Sequence, residues 1–287
     1  MKQLLSTIMI VIALLWCCGC SGPAEGPPHG TVNVAVSVFP VYDIARNICG
    51  NSAEAFFIIP AGADPHTYEP LPSIARQLQG ISLFIGISRG FDGWMEHYIP
   101  KNAPRDYIIN EKTQFQGNAN PHIWLSVRES KKIASTIARN LSEVDPSHRD
   151  IYKHNLNVYL MKLDDLDNTI AGMFKSSKSR SFIQWHEAWN YFAADYGLII
   201  AGTVEREGSD KASVRSIKDI VERAKRDRVR VVVVSLNAEE RTAGVLAGEI
   251  GGMIVRLDGI GDPRSSDRSD YIQLMLYNAK TLAQSLR

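Results

Sequence analysis

The sequence predicts an α/β protein of two pseudo-symmetric lobes with mostly parallel sheets, joined by one long rigid helix. From residue 31 onward, short apolar β-branched runs alternate with segments of helical periodicity. This alternation occurs twice, and an uninterrupted helical pattern separates the two series. The chain has 287 residues, of which 45% are hydrophobic. This length and composition are sufficient for two domains of modest size.

The first series, residues 32–145, is predicted to form the N-terminal lobe. Its strand-like segments are TVNVAVSVF, AEAFFIIP, ISLFIGIS and the weaker DYIIN. Nearly continuous apolar runs are typical of parallel strands that are covered on both faces. The helical segments are PVYDIARNICG, which ends at Gly50, then SIARQLQG and SVRESKKIASTIARNLSEV.

Residues 146–177 are predicted to form the linking helix. Pro146 suits a first helical turn, and no proline or glycine follows it until Gly172. The apolar residues expected to form one buried stripe are Ile151, Leu156, Tyr159, Leu160, Leu163, Leu166 and Ile170. A helix of about 25 to 30 residues would be about 40 Å long. Such a stiff connector would resist wide hinge closure between the lobes.

The second series, residues 178–287, is predicted to form the C-terminal lobe. Its strand-like segments are SFIQW, LIIAGTV, RVVVVSL and MIVRL. They alternate with EAWNYFAADYG, SIKDIVERAKRD and AEERTAGVLAGEIG, and a final helix is expected from Asp270 toward Arg287.

The amino terminus has the pattern of an export signal. Lys2 precedes the apolar run LLSTIMIVIALLW, which ends in CCGC. A small residue before a cysteine at this place resembles a bacterial lipoprotein signal, with residues 1–19 removed and Cys20 lipidated. Cys17 occupies the position where such signals usually have leucine, so an ordinary secretion signal cut a few residues later, or an uncleaved anchor, remain alternatives. Residues 20–31 are rich in glycine and proline and are predicted to be a flexible linker.

Charge and cysteine content exclude some classes of protein. The formal net charge is +1, from 32 basic and 31 acidic residues, so no basic excess indicates a nucleic-acid partner. Beyond the amino-terminal CCGC segment the sequence has one cysteine, Cys49, so the folded part cannot form an internal disulfide. We expect Cys49 to be a small buried hydrophobic residue.

Three histidines and one aspartate follow predicted strands or open helices. His66 follows AFFIIP, His122 lies in NANPHIWL, His186 follows SFIQW, and Asp258 follows IVRL. Loops at the carboxyl ends of parallel strands converge, so these side chains are able to meet between the lobes. Three imidazoles and a carboxylate form a donor set that divalent transition metals accept. Alternatively, His66 and His122 bond backbone carbonyls in turns, and Asp258 forms a turn before Gly259.

The remaining histidines are expected in less specific places. They are His29 in the linker and His97, His148 and His154 on or near helices, where capping or solvent exposure is the expected role.

The four segments together resemble a known family. GADPHTYEP, NPHIWLS, HEAWNYFAADYGL and VRLDGIG are similar, in this order, to the ligand loops of the metal-binding solute receptors of bacterial ABC importers, the ZnuA- and TroA-like proteins. The resemblance implies that His66, His122, His186 and Asp258 are the metal ligands. It also implies an exported, membrane-anchored monomer that faces the periplasm or the cell exterior, with a membrane permease as partner and no enzymatic activity.

The choice of metal follows from the third ligand. Manganese-leaning members of the family tend to have a carboxylate there, whereas this chain has His186. Imidazole suits zinc over manganese, so zinc is favoured as cargo, with manganese or iron as alternatives. The chain departs from the family in two places, since EKTQFQGNANPH lacks a His-rich tract and Ser235 replaces a usual acidic residue.

Other functions are compatible with the same residues. A zinc-dependent hydrolase would need a general base beside the metal, and Glu187 or Glu205 could serve. HEAWN begins like a zincin motif but lacks its second histidine. A surface adhesin or a receptor for an organic solute on the same scaffold is a third class. Residues Trp124, Trp185 and Trp189 are expected either to shield the metal site or to pack in the core.

Overall fold

The computed structural model describes residues 32–61, 63, 65, 68–109, 120–206, 213–236, 238 and 240–287. Within these ranges eight strands form two sheets of four strands each, and every strand pair is parallel. The predicted signal peptide and linker, residues 1–31, lie outside the described residues.

The two sheets have the same strand order. The first is ordered β2-β1-β3-β4, with β1 Val32–Val36, β2 Ala53–Phe57, β3 Leu83–Gly86 and β4 Arg105–Tyr107. The second is ordered β6-β5-β7-β8, with β5 Ser181–His186, β6 Ile199–Glu205, β7 Val231–Ser235 and β8 Met253–Leu257. The predicted fold class, two similar α/β halves with parallel sheets, is therefore confirmed. The weak segment DYIIN contributes only part of the three-residue edge strand β4.

Helices alternate with these strands. They are α1 Phe39–Cys49, α2 Pro72–Leu78, α3 Arg89–Asp92, α4 Val127–Val144, α5 Arg149–Phe174, α6 Asn190–Tyr196, α7 Val214–Arg226, α8 Glu240–Glu249 and α9 Tyr271–Ser285. Side-chain caps begin four of them. Ser126 accepts the backbone N–H of Glu129 and Asp270 accepts that of Gln273, and Ser88 and Ser213 cap α3 and α7 in the same way. Among the described residues we find no helix that combines the length and the apolar character needed to span a bilayer.

The linking helix α5 has 26 residues and follows a short 3₁₀ turn, Pro146–His148. At 1.5 Å per residue it is about 39 Å long. The buried stripe consists of Tyr152, Tyr159, Leu163, Leu166, Ile170 and Phe174. The prediction was wrong at Ile151, which is 44% exposed, because the stripe begins one residue later at Tyr152. One residue corresponds to about 100° around a helix, which moves Ile151 off the buried face. Leu156 and Leu160, also predicted in the stripe, are half-buried at its edges.

One hydrophobic cluster extends through both halves and the linking helix, and a second covers the other face of the second sheet. Strand β7 belongs to both: Val231 and Val233 pack in the first cluster, and Val232 and Val234 in the second. This alternation follows from the two-residue period of a strand that is covered on both faces. Cys49 is buried in the first cluster, and burial raises the pKa of its thiol to about 12. Cys49 is therefore a buried core residue, as the sequence predicts.

Candidate metal site

Two of the four predicted ligands meet between the halves. His186 is the last residue of β5, and His122 precedes the 3₁₀ turn Ile123–Leu125 that leads into α4. Their Nε2 atoms are 3.3 Å apart, and the ring planes are inclined by 78°. His122 is only 5% exposed. The two imidazoles therefore direct the same ring nitrogen toward one point.

The spacing of these nitrogens suits a shared metal ion. Two imidazole nitrogens bound to a tetrahedral zinc ion at about 2.0–2.1 Å lie about 3.3–3.4 Å from each other. The 3.3 Å between the Nε2 atoms of His122 and His186 agrees with this separation. The same distance also suits a hydrogen bond in which one neutral imidazole donates its N–H to the lone pair of the other. Two imidazolium rings would repel each other at this distance.

Asn120 fixes the His122 ring. Its Oδ1 lies 2.9 Å from His122 Nδ1 and accepts the backbone N–H of His122, also at 2.9 Å. Its Nδ2 donates to the carbonyl of Glu187 at 2.8 Å, which sets the orientation of the amide. Nδ1 of His122 must then carry the proton, and Nε2 keeps its lone pair for a metal. Asn120 thus links His122 to the residue after His186.

Trp124 forms a wall of the His122 pocket. The indole is fully buried, and its ring centroid lies 5.3 Å from that of His122. Its Nε1–H donates to the carbonyl of Gly259 at 2.7 Å, across the two halves. Trp124 is both a core side chain and a shield for His122. Trp189 is buried in the first cluster, and Trp185 packs against the second.

Asp258 lies directly after β8 and is held within its own loop. Its Oδ1 accepts the backbone N–H groups of Ile260 and Gly261 at 2.9 and 2.8 Å. Its Oδ2 accepts from Nε of Arg268 at 2.9 Å. The backbone of Asp258 forms two further bonds with the side chain of Asn278. These are the contacts of an aspartate that shapes a turn.

The described residues contain only part of the predicted ligand set. His66 lies outside them, and so does its neighbour Thr67. Within the described ranges, no group of three His, Cys, Asp or Glu side chains is close enough to hold a metal ion. His122 and His186 come together, and Asp258 does not join them in such a group.

His97, His148 and His154 have the structural roles expected of them, and His29 lies outside the described residues. His148 Nδ1 lies 2.7 Å from Asp145 Oδ2, and His97 Nδ1 lies 3.1 Å from the carbonyl of Trp94. His154 is exposed on α5.

Two residues of the site were not singled out from the sequence. Asn120 had a weak signal, since an amide two residues before a histidine in a turn can bond both its N–H and its ring. Arg268 had no local signal, because its partner Asp258 lies ten residues earlier in an irregular loop.

Comparison with known proteins decides the family. A family model described as ZnuA, zinc-uptake complex component A, periplasmic, matches residues 34–285. The chain belongs to the ZnuA family. The resemblance seen in the four ligand-loop segments is thereby confirmed.

Individual relatives of this ZnuA-family chain are named for several metals. The metal ABC transporter substrate-binding lipoprotein FimA of Streptococcus parasanguinis is 27% identical, over 100% of this chain and 99% of the relative. The manganese ABC transporter substrate-binding lipoprotein PsaA of Streptococcus mitis is 25% identical, over 100% and 99%. The zinc-binding lipoprotein AdcA of Streptococcus pneumoniae strain R6 is 24% identical over 99% of this chain, which spans 61% of that relative's length.

A solved structure agrees with the fold. The crystal structure of a ZnuA 138–173 deletion mutant with zinc bound has a TM-score of 0.79 and 27% sequence identity. The match covers 89% of this chain and 98% of the other.

The predicted class, a substrate-binding receptor of an importer, is therefore supported over a hydrolase or an adhesin.

Proposed function

We propose that this ZnuA-family chain is an extracytoplasmic receptor that captures one divalent transition metal ion in the cleft between its halves and delivers it to an ABC permease. The observation that carries the proposal is the pair of Nε2 atoms of His122 and His186, 3.3 Å apart and contributed by different halves. A shared cation satisfies both nitrogens at once, and it ties metal binding to the relative position of the halves.

The proposed ligands are His66, His122, His186 and Asp258. The loop that carries His66 leaves β2 at its carboxyl end, the edge of the sheet where ligands collect in parallel α/β folds. With three imidazoles and one carboxylate, zinc is the favoured cargo, ahead of manganese or iron. The function is capture and release of the ion, without turnover of a substrate.

The first experiment is elemental analysis of the protein purified from its own host, followed by competition between zinc and manganese for the metal-free protein. We expect one metal ion per chain, tighter binding of zinc, and no turnover of ester or amide substrates. A protein that carries a stoichiometric metal and hydrolyses such substrates would instead be an enzyme.

A variant tests the ligand assignment. His122→Ala removes a nitrogen that a metal would share with His186, so the affinity for zinc should fall by more than about 100-fold while the circular dichroism spectrum is kept. His154→Ala, an exposed histidine on α5, is the matched control and should bind zinc like the wild type. Unchanged affinity in His122→Ala would show that the ligand set is wrong.

The proposed location depends on Cys20. Lipidation of Cys20 would hold the receptor at the membrane beside its permease, with residues 20–31 as a spacer, and we propose that it acts there as a monomer. Cys20→Ser should move the protein from the membrane pellet to the soluble fraction in the native host. If the variant stays in the pellet, the anchor is not an acyl chain on that residue.

A further inference from the structure

Arg268 forms an ion pair with Asp258, the predicted fourth ligand. Its Nε donates to Asp258 Oδ2 at 2.9 Å, and only 21% of the arginine side chain and 13% of the aspartate side chain are exposed. The guanidinium also pairs with Asp267 Oδ1 at 2.6 Å and lies 4.7 Å above the ring of Tyr277. Arg268 is therefore held in one place by three different contacts.

These contacts occupy both oxygens of the Asp258 carboxylate. Oδ1 accepts two backbone N–H groups, and Oδ2 accepts the guanidinium. A metal ion that binds Oδ2 enters the space beside a fixed positive charge. Like charges repel strongly where exposure is low, since little water screens them.

The same loop touches the histidine pocket. The carbonyl of Gly259, the next residue after Asp258, accepts the indole N–H of Trp124, whose ring packs against His122. The loop of Asp258 is thus connected to the His122 pocket through the side chain of Trp124.

We infer that Arg268 is an internal counter-ion that occupies Asp258 in the metal-free receptor and is displaced when the metal ion binds. Arg268 then lowers the affinity for the cargo and speeds its release, because the guanidinium returns to Asp258 as the ion leaves. Arg268 is thus an affinity-determining residue, not a ligand. This inference rests on the proposed function of the site.

The test compares Arg268→Gln with two variants. Arg268→Lys keeps the positive charge, and Arg264→Gln removes an exposed arginine of the same loop that pairs with Asp262 instead. Zinc chloride is titrated into each metal-free protein against a chromophoric chelator, and release is timed after addition of excess chelator. Thermal unfolding of the metal-free proteins gives a second readout that does not depend on zinc.

We expect Arg268→Gln to bind zinc about 10-fold more tightly than the wild type and to release it more slowly, within the range usual for coupled sites. The metal-free form should melt at a lower temperature, since the ion pair with Asp258 is lost. Arg268→Lys should stay close to the wild type, and Arg264→Gln should match it in every measurement.

The direction in which zinc affinity changes in Arg268→Gln distinguishes the two possible roles of Arg268. If Arg268 merely positions Asp258 as a ligand, Arg268→Gln will bind zinc more weakly. Weaker or unchanged binding in this variant, with zinc binding intact in the wild type, overturns the counter-ion role alone. Failure of the wild type to bind zinc or manganese overturns the proposed function as well.

Discussion

The amide of Asn120 fixes the ring of His122, a proposed metal ligand. Both polar groups of the amide form hydrogen bonds. Nδ2 donates to the carbonyl of Glu187, and Oδ1 accepts from His122. The ring of His122 is therefore fixed both in rotation and in tautomer before any ion arrives. A ring that is already oriented loses less conformational freedom on binding.

Asn120→Ala should weaken zinc binding by about 10- to 100-fold, the usual effect of removing a partner that orients a ligand. The loss should be smaller than that of His122→Ala, since the ligand itself remains. Isothermal titration or chelator competition measures both variants. Asn140→Ala, which removes an amide that bonds Asp106 on the surface of α4, should leave affinity unchanged. Equal affinities for Asn120→Ala and the wild type would contradict the orienting role.

The sequence predicted that His122 and His186 would come together, but it did not predict the hydrogen bonds around them. His122 and His186 stand out because strands and turns deliver them to a common edge. The bond from Asn120 to Glu187 joins residues 67 positions apart, and that from Trp124 to Gly259 joins residues 135 apart. Such contacts depend on how two halves dock, and no local pattern in the chain encodes them.

At the scale of secondary-structure elements, the sequence pattern predicts some features of helix α5 and not others. Its existence and length follow from the absence of helix breakers between Pro146 and Gly172. The start of its buried face does not follow, because both Ile151 and Tyr152 are apolar and the pattern alone does not choose between them. Packing decides, and Tyr152 is fully buried while Ile151 faces solvent.

The junction of α4 and α5 depends on one carboxylate. Asp145 accepts hydrogen bonds from Ser147 Oγ and Tyr152 Oη, both at 2.6 Å, and lies beside the ring of His148. Burial by itself would raise the pKa of Asp145, but the bonds from Ser147, Tyr152 and His148 outweigh it and lower the pKa to about 2. The ionised carboxylate is thus the form that the fold stabilises.

Asp145→Asn should therefore cost about 1 to 3 kcal/mol of unfolding free energy near neutral pH, the usual scale for hydrogen bonds to a charged group. Because the folded pKa is below the ordinary value of 3.8, the contribution is present above that value and is lost as the pH falls through about 2. Urea unfolding of the wild type and the variant should give a stability gap that narrows from about pH 5 to about pH 3.

Asp150→Asn, which neutralises an exposed carboxylate in the first turn of α5, is the control for general charge effects. Its stability relative to the wild type should vary little over the same pH range. A gap between Asp145→Asn and the wild type that stays constant with pH would show that the ionised carboxylate is not what holds this junction.

At the scale of the whole molecule, the halves are joined by more than the linking helix. Asp195, whose side chain is 4% exposed, accepts from Ser126 Oγ at 2.5 Å and pairs with Arg128. Asp43 in α1 accepts the backbone N–H of Tyr271 at the start of α9, at 3.0 Å. Burial raises the pKa of both carboxyl groups, which partly offsets the benefit of these bonds. The halves are thus connected by polar bonds around a common hydrophobic cluster.

Residues 32–287 form one compact unit, and the cluster that fills it includes side chains from β3 in one half and from β7 in the other. We therefore expect the two halves to unfold in a single cooperative transition, although each has its own sheet. Hydrogen exchange of the amides in β3 and β7 under increasing urea, followed by mass spectrometry, should give the same unfolding free energy for both strands.

Leu163 is a suitable position for a test, because it lies on α5 and is fully buried in the hydrophobic cluster that both halves share. Leu163→Ala should lower the unfolding free energy by about 2 to 5 kcal/mol, and by the same amount when read from β3 or from β7. Met161→Ala, at a position that is 61% exposed on the same helix, should change neither reading by more than about 0.5 kcal/mol. A loss confined to one strand would mean that the halves fold as separate units. In that case the linking helix would act as a tether, and it could not transmit the position of one half to the other when a metal ion binds.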